Sequence, residues 1–475
     1  MPLLAHEFLF ASFHDLQYTS ELSLFIISID QEMIVSHCFL SYFLFVVGVL
    51  ANHPPPSQDP FYGPPPGYES VPPGTILAHR AVPYPISEVT LFPILLQSAH
   101  HILYRTTDSF GEPITTVTTV LVPFNANPRK VLTYEVPEDS SDVDCAPSYT
   151  LQFLSRTGGF FGTIEESFEL LVIQAALNLG WIVSVPDFQG PRAAFLANTL
   201  AAHTTLDSMR AVLASGTITG VRADAKMVMW GYSGGSLGVA AAAERKDAYA
   251  PELKILGAAA GGVVPNINTT LFAVNKGLTA GLIASGMEGL SHEYKGLNDA
   301  LSSMLVSKES KAFAAVNQRC LSSNTLVFEG QDVLHRYLGN TTIFQGDTIA
   351  TEVIEANRLG QFVPSIPLLI YKGSGDEISP IAETDKLVRY YCDGGASVEY
   401  LVHEGADHEE ALVQGVPDAL FWLKDILDGK EVAAGCSKTV NVTGVFDLQA
   451  SRLLPLEIVN GLQSAFGHAR SQTFD

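Results

Sequence analysis

The chain has few basic residues and few charged residues of any kind. Of its 475 residues, 27 are Lys or Arg and 50 are Asp or Glu, so the formal net charge is −23. A negative field of this size repels phosphate backbones, and we therefore expect no nucleic-acid partner. Charged residues make up only 16% of the chain and hydrophobic residues 47%. This composition excludes an intrinsically disordered chain, which combines low hydrophobicity with high charge.

The sequence also lacks an apolar run long enough to cross a bilayer. The longest run, Cys38–Ala51, has 14 residues, whereas a spanning helix needs about 20. Its length suits the apolar region of a signal peptide, with a cleavage site at Val49-Leu50-Ala51. No Lys or Arg precedes Arg80, and a start at Met33 would give such a signal its normal length. We therefore expect a non-mature extension and signal peptide over residues 1–51, then a secreted chain without a transmembrane span.

Cysteines are scarce, and their number fits a secreted protein. Cys38 lies in the expected signal, which leaves an even number in the rest of the chain, compatible with three pairings. These are Cys145, Cys320, Cys392 and Cys436. Three Asn-x-Thr sequons predict N-glycosylation. They begin at Asn268, Asn340 and Asn441.

Buried strands and helices alternate along most of the sequence. The segment Pro54–Pro73 is rich in proline and predicts an extended arm. β-Branched and apolar runs predict strands at 117–124, 130–136, 181–188, 226–230, 253–262, 366–371 and 398–403. Helical spacing of apolar residues predicts helices at 163–179, 200–215, 236–245, 381–391 and 409–427. This alternation predicts an α/β fold with a mostly parallel central sheet and helices on both faces.

One stretch of about 100 residues interrupts that alternation. Residues 264–363 contain no strong buried strand and show mixed helical patterns, so they predict a helical cap inserted between two strands. The expected organisation is a proline-rich N-terminal segment over 52–116, a first core part over 117–263, the cap over 264–363 and a second core part over 364–475.

A short motif at the end of one predicted strand indicates a nucleophile. Gly231-Tyr232-Ser233-Gly234-Gly235 fits the pattern G-x-S-x-G and lies between an apolar strand and an alanine-rich helix. This strand–turn–helix setting is what a nucleophile elbow requires. An overlapping match centres on Ser236, which would lie inside the helix. The motif therefore predicts Ser233 as the nucleophile.

A nucleophilic serine needs a base and an orienting acid, normally in the order Ser, acid, His. His408 follows the last predicted strand in a loop before a helix, and we prefer it to His403, which ends that strand. Asp376 follows the strand 366–371 after turn glycines, and we prefer it to its neighbour Glu377. The Gly234 N–H is the expected first donor to an oxyanion. No HGGG segment is present to supply the second donor.

Six segments together resemble the fungal secretory lipases of the Candida antarctica lipase A type. They are DPFYGPPPGYE (59–69), YEVPEDSSDVDCAPSY (134–149), VSVPDFQGPRAAF (183–195), GYSGGSLGVAAA (231–242), YKGSGDE (371–377) and YCDGGASVEYLVHEGADHE (391–409). The resemblance implies an α/β-hydrolase fold with a helical cap and the hydrolysis of fatty-acyl esters. It also implies Asp139 as the second oxyanion donor and the disulfides Cys145–Cys320 and Cys392–Cys436.

The sequence thus predicts a secreted serine lipase or carboxylesterase that works through an acyl-enzyme. We expect a monomer without metal or organic cofactor, whose partner is a lipid or ester substrate, including one at an oil–water interface. The cap is expected to supply an apolar acyl tunnel leading to Ser233. The alternatives are a short-chain carboxylesterase or a serine peptidase on the same fold, or a catalytically inactive binding protein.

Overall fold

A ten-stranded sheet forms the centre of the protein. The computed structural model describes residues 54–87, 93–153, 155, 164–339 and 341–441. The strands are β1 (Ile76–Ala81), β2 (Ser98–Thr107), β3 (Pro113–Val122), β4 (Lys130–Glu135), β5 (Ile182–Pro186), β6 (Lys226–Tyr232), β7 (Ile255–Gly261), β8 (Leu368–Gly373), β9 (Val398–His403) and β10 (Cys436–Asn441). Their spatial order is β1-β2-β3-β5-β4-β6-β7-β8-β9-β10.

The sheet is antiparallel at one end and parallel over the rest. β1, β2 and β3 pair antiparallel, and β3 also runs antiparallel to β5. All pairs from β5 to β10 are parallel. Strands of this parallel part are buried on both faces, as β6 shows, where Met227 and Met229 lie in one apolar core and Val228 and Trp230 in the other. Continuous apolar runs are the sequence pattern of such strands.

Helices cover both faces of the sheet and form the cap. They are α1 (Pro147–Thr150), α2 (Ile164–Asn178), α3 (Asn198–Ala214), α4 (Gly216–Thr219), α5 (Gly234–Tyr249), α6 (Ile267–Val274), α7 (Gly281–Glu293), α8 (Lys295–Met304), α9 (Ser310–Ala314), α10 (Leu321–Phe328), α11 (Val333–Arg336), α12 (Ile349–Asn357), α13 (Ile381–Asp393) and α14 (His408–Leu427). Apolar side chains of α3, α5 and α13 pack in one core, and those of α2 and α14 pack in the core on the other face. The predicted α/β-hydrolase architecture is confirmed by this arrangement.

The segment 264–363 is helical, as predicted, and has a core of its own. Helices α6 to α12 lie in it, and buried residues such as Leu290, Phe313 and Phe328 fill a third apolar cluster. Ala194 and Leu200, which precede and begin α3, belong to the same cluster. The cap is therefore packed onto the sheet domain through shared apolar contacts.

Three strands, β1, β2 and β10, lie where the sequence predicted none. β1 and β2 fall inside the predicted N-terminal segment 52–116, and β3 crosses the expected boundary at residue 117. The sheet therefore begins earlier than predicted, because β1 is only partly buried and β2 starts with Ser-Ala-His-His, which hides its apolar residues. β10 is almost wholly exposed and reads Cys-Ser-Lys-Thr-Val-Asn. In the proline-rich arm, two short 3-10 helices replace part of the expected extended chain, at Pro60–Tyr62 and Tyr68–Ser70.

Two disulfides join distant parts of the chain. Cys145 and Cys320 connect the loop after β4 to the start of α10 in the cap, and Cys392 and Cys436 connect α13 to β10. These are the pairings that the resemblance implied. Of the three sequons, Asn268 and Asn441 are half-buried, whereas Asn340 and the expected signal over 1–51 lie outside the described residues. In the part of the chain that the structure describes, no helix is long and apolar enough to cross a membrane.

Candidate active site

Ser233 occupies a sharp turn between β6 and α5. Its backbone has φ 50° and ψ −120°, a region that side-chain-bearing residues rarely adopt and that marks functional strain. Two glycines make room for the turn. A Cβ atom at Gly235 would lie 2.0 Å from the Glu135 carbonyl oxygen, and one at Gly234 would lie 1.7 Å from Asp139 Oδ1. The turn thus requires glycine at both positions and exposes the serine hydroxyl above the sheet.

A continuous hydrogen-bonded chain connects Ser233 to His408 and Asp376. Ser233 Oγ lies 2.8 Å from His408 Nε2, and His408 Nδ1 lies 2.6 Å from Asp376 Oδ2. Asp376 follows β8, and His408 is the first residue of α14 after β9, so both project from the carboxyl ends of parallel strands. The structure brings together the three residues that the sequence selected for a triad.

The carboxylate of Asp376 has four donors around it. Oδ1 accepts hydrogen bonds from the backbone N–H groups of Ile378 and Ser379, at 3.0 and 2.8 Å. Oδ2 accepts from His408 and from the Lys372 ammonium, which lies 2.7 Å away. Burial raises the pKa of Asp376, but His408 and Lys372 outweigh it and hold this pKa well below its usual range. The carboxylate is therefore ionised at every pH at which the fold is expected to work.

His403, Glu377 and Ser236, the alternatives to the triad residues, lie near the triad and make other contacts. His403 is buried in β9, and burial lowers its pKa to about 4. Glu377 Oε2 accepts a hydrogen bond from the backbone N–H of His408 at 3.1 Å. Ser236 lies in the first turn of α5, where its Oγ donates to the Ser233 carbonyl at 2.6 Å. Each of these groups contacts the backbone or the core, so none replaces a member of the triad.

The imidazole of His408 is also supported from β6. The hydroxyl of Tyr232, the residue before the nucleophile, donates to the His408 carbonyl. The rings of Tyr232 and His408 lie 5.2 Å apart between centroids. Because Tyr232 is buried and fixed by the strand, it fixes the start of α14 relative to the elbow. The sequence pattern gave no reason to select this tyrosine.

Gly234 and Asp139, whose N–H groups are the expected oxyanion donors, lie side by side. They differ in that the Asp139 N–H has a side-chain acceptor. Gly234 is the first residue of α5, so its N–H points out of the helix start. Asp139 has φ 44° and lies against Gly234. With the Gln189 amide turned so that its nitrogen donates to the Ser140 carbonyl at 2.7 Å, its oxygen accepts from the Asp139 N–H at 3.1 Å. The Asp139 N–H thus donates to a side chain that a bound oxyanion would have to replace.

A cavity of about 380 Å³ opens at Ser233 and His408. Its apolar walls come from the cap, from the loop after β8 and from α14, and include Leu278, Leu282, Leu321, Ile378 and Leu412. Six carboxyl side chains also line it, from Asp139, Glu169, Glu329, Glu377, Asp407 and Glu409. Burial and then the neighbouring Asp407 raise the pKa of Glu409. The cavity therefore combines an apolar surface with an acidic lining.

A second cavity of about 30 Å³ extends from Ser233 under the cap. Its lining is almost entirely apolar and includes Leu237, Val264, Ile267, Leu271 and Val274. Asp139, Ser233, Leu282 and Ile378 line both cavities, so the two meet at the nucleophile. Among the described residues, no group of three His, Cys, Asp or Glu side chains is arranged to hold a metal ion.

Comparisons with known proteins identify the family of the chain. The model of the secretory lipase family matches residues 155–435. The chain is 44% identical to "Lipase A" of Arthroderma benhamiae over 89% of this chain and 91% of that protein. It is 39% identical to "Lipase 5" of Candida albicans over 80% and 83% of the two chains. Its fold matches the crystal structure of Candida antarctica lipase A in its closed state, with a TM-score of 0.77 and 27% identity over 86% of this chain and 95% of that one. The chain therefore belongs to the secretory lipase family.

Proposed function

We propose that this lipase-family chain hydrolyses fatty-acyl esters, such as triacylglycerols, through a Ser233–His408–Asp376 triad and an acyl-enzyme. The observation that carries the proposal is the hydrogen-bonded chain from Ser233 Oγ through His408 to Asp376, at 2.8 and 2.6 Å, on a strained elbow. Membership of a secretory family and the two disulfides support a secreted location.

The proposed steps start from the contacts of His408 with Ser233 and Asp376. His408 Nε2 takes the Ser233 proton as Oγ attacks the ester carbonyl carbon, and the Asp376 carboxylate stabilises the resulting imidazolium. Collapse of the tetrahedral intermediate breaks the bond to the alcohol, which leaves with the proton from His408. Water then attacks the acyl-enzyme with His408 again as base, and the fatty acid is released while Ser233 regains its proton.

The oxyanion is proposed to be held by two N–H groups. Gly234 at the start of α5 supplies the first, where the helix dipole also favours negative charge. Asp139 is proposed as the second, which requires its N–H to exchange the Gln189 oxygen for the substrate oxygen. Replacing a donor of this kind costs roughly 100- to 1,000-fold in kcat.

The substrate class follows from the apolar space around Ser233. The small cavity under α6 is proposed to be the start of the acyl tunnel, since it meets the larger cavity at the nucleophile. Each methylene of an acyl chain buried there contributes about 0.8 kcal/mol. Long acyl chains should therefore react more efficiently than acetate until the available space is filled.

Alanine and asparagine substitutions test the triad. Ser233→Ala, His408→Ala and Asp376→Asn should each keep the fold and lose at least about 1,000-fold in kcat. Pairs of these substitutions should lose no more than the single ones, because the three side chains act as one unit. His403→Ala is the matched control and should stay active. Loss of activity in His403→Ala, with His408→Ala active, would contradict the assignment of the base.

A series of p-nitrophenyl esters from acetate to palmitate tests the substrate class. We expect kcat/KM to rise with acyl length and the polar variant Leu271→Ser to reduce it for palmitate far more than for acetate. Leu326→Ser, at a cap residue that is 56% exposed, serves as the control. A maximum at acetate with a steady fall thereafter would replace the lipase by a short-chain carboxylesterase, and inactivity on every ester would indicate a binding protein.

A further inference from the structure

Lys372 is a buried lysine in contact with the proposed catalytic acid. It is the fifth residue of β8, and its side chain is 0% exposed, as is that of Asp376. Lys is among the residues that are almost never fully buried unless paired. The Lys372 ammonium donates to the Val263 carbonyl at 3.0 Å and to Asp376 Oδ2 at 2.7 Å. Removing this charge from water costs free energy, so the burial of Lys372 needs an explanation in its function.

The ammonium and the His408 imidazole share one oxygen atom. His408 Nδ1 lies 2.6 Å from Asp376 Oδ2, on which Lys372 Nζ also lies. Two nitrogens that contact one oxygen are within about 5 Å of each other, a range in which a charge alters the titration of its neighbour. Burial lowers the pKa of Lys372, whereas the Asp376 carboxylate raises it.

We propose that Lys372 is a positioning residue that compensates the charge of Asp376 and so keeps His408 available as a base in acidic solution. This inference rests on the proposed triad. A buried Asp–His pair without a further cation stabilises the imidazolium fully, because the imidazolium is then the only counter-charge of the carboxylate. With Lys372 in place, the carboxylate has a permanent counter-charge, and a second positive charge on His408 gains less.

Carboxyl groups also face the pair of Asp376 and His408, and their charge is opposite to that of Lys372. Carboxyl groups of Glu377, Asp407 and Glu409 lie around His408. Tyr232 on β6 and His403 on β9 are also titratable groups nearby, and neither is charged near neutral pH, because burial raises the pKa of Tyr232 and lowers that of His403 to about 4. Lys372 is thus the cation that offsets the acidic lining of the cavity at this position.

The proposal is tested by the pH profile of kcat/KM in two neutral variants. Lys372→Gln keeps a hydrogen-bond donor for Asp376 and loses the charge, whereas Lys372→Met loses both. We expect the acid limb of the profile to move up by about one to two pH units in each. At the optimum, Lys372→Gln should keep more of the wild-type kcat than Lys372→Met, because its amide still orients the carboxylate. Lys130→Met is the control, since it removes a cation that pairs with Asp428 at the opposite end of the sheet, and its profile should match the wild type.

The outcomes separate this inference from the proposed function. An unshifted acid limb in an active Lys372→Gln variant would overturn the role of Lys372 and leave the triad intact. Full activity of Ser233→Ala would instead overturn the triad. Should neither Lys372 variant fold, NMR of the lysine Nζ groups in the unmutated protein decides, with the Asp376→Asn variant identifying the Lys372 signal by its shift. A charged ammonium between pH 5 and 8 supports the proposal, and a neutral amine there overturns it.

Discussion

Glu135 lies buried under the nucleophile turn and predicts a loss of stability as the pH rises from acidic to slightly alkaline values. It ends β4 and is 0% exposed. One carboxyl oxygen, Oε1, accepts a hydrogen bond from Thr205 Oγ1 at 2.7 Å, while Oε2 has no hydrogen-bond partner among the described residues. The backbone of Gly235 in the elbow packs directly on the Glu135 carbonyl. The carboxyl group therefore lies close to the turn that carries Ser233, in a place where its charge would be poorly solvated.

The sign of the effect follows from the shift. Burial raises the pKa of Glu135 from 4.5 to about 8, with a contribution from Asp187. The folded protein then holds a proton that the unfolded chain releases above pH 4.5. Stability is unaffected below that pH, falls as the pH rises, and stops falling above about pH 8. A shift of this size corresponds to an upper limit of about 4–5 kcal/mol.

Glu135→Gln tests this reasoning, because the amide retains the size of the group and an acceptor for Thr205 but cannot ionise. We expect the free energies of unfolding in urea to be similar for the two proteins at pH 4.5, and the variant to be more stable at pH 9 by up to about 4–5 kcal/mol. Glu69→Gln, at an exposed residue of the arm, is the control and should show no pH-dependent difference. A wild-type protein whose advantage over Glu135→Gln grows with pH would refute the argument.

Two further predictions concern the disulfides and the acidic lining of the cavity. The Cys145–Cys320 disulfide spans 175 residues and the Cys392–Cys436 disulfide spans 44. Because the longer loop loses more entropy, replacing both cysteines by serine should lower the free energy of unfolding by about 5 kcal/mol for the first disulfide and about 4 kcal/mol for the second. Urea denaturation measures both values, and a larger loss for the second disulfide would contradict the loop-entropy argument. The carboxylates around the cavity should repel anionic esters. A p-nitrophenyl ester carrying a free carboxylate should therefore react at least about tenfold more slowly than its neutral analogue. Glu329→Gln or added salt should reduce this difference in rate. Equal rates in low salt would show that the lining does not select by charge.

The sequence predicted the parts of the fold whose residues are buried on every side. β6 and β8 read as unbroken apolar runs, because helices cover both of their faces. β10 could not be predicted in this way, since it lies at the edge of the sheet with exposed polar side chains and pairs only with β9. Its place depends on the backbone pairing and on the disulfide at Cys436, which are tertiary contacts that no local pattern contains.

The same distinction applies to the candidate active site, where only residues that follow buried strands could be predicted. Ser233, Asp376 and His408 could be selected because each follows a buried strand in the order that the fold requires. Lys372 could not, since a lysine at the end of an apolar strand ordinarily marks the point where the chain reaches solvent. The contact between Gln189 and the Asp139 N–H joins two loops that are 50 positions apart, and no spacing rule connects them.

The acidic residues of the chain have different consequences in the chain as a whole, in the cavity lining and in the buried layer beneath the cavity. For the whole chain, a net charge of −23 disfavours partners rich in phosphate and identifies no substrate. Around the cavity, carboxyl groups such as those of Glu377 and Asp407 form part of the lining, and we expect them to repel anionic substrates. One layer deeper, His408 and Lys372 hold the pKa of Asp376 below its usual range, whereas burial raises the pKa of Glu135, which has no cation partner in the part of the chain that the structure describes. Since these carboxyl groups differ only in what surrounds them, their roles follow from the positions of Lys372 and Thr205, and no composition value could have separated them.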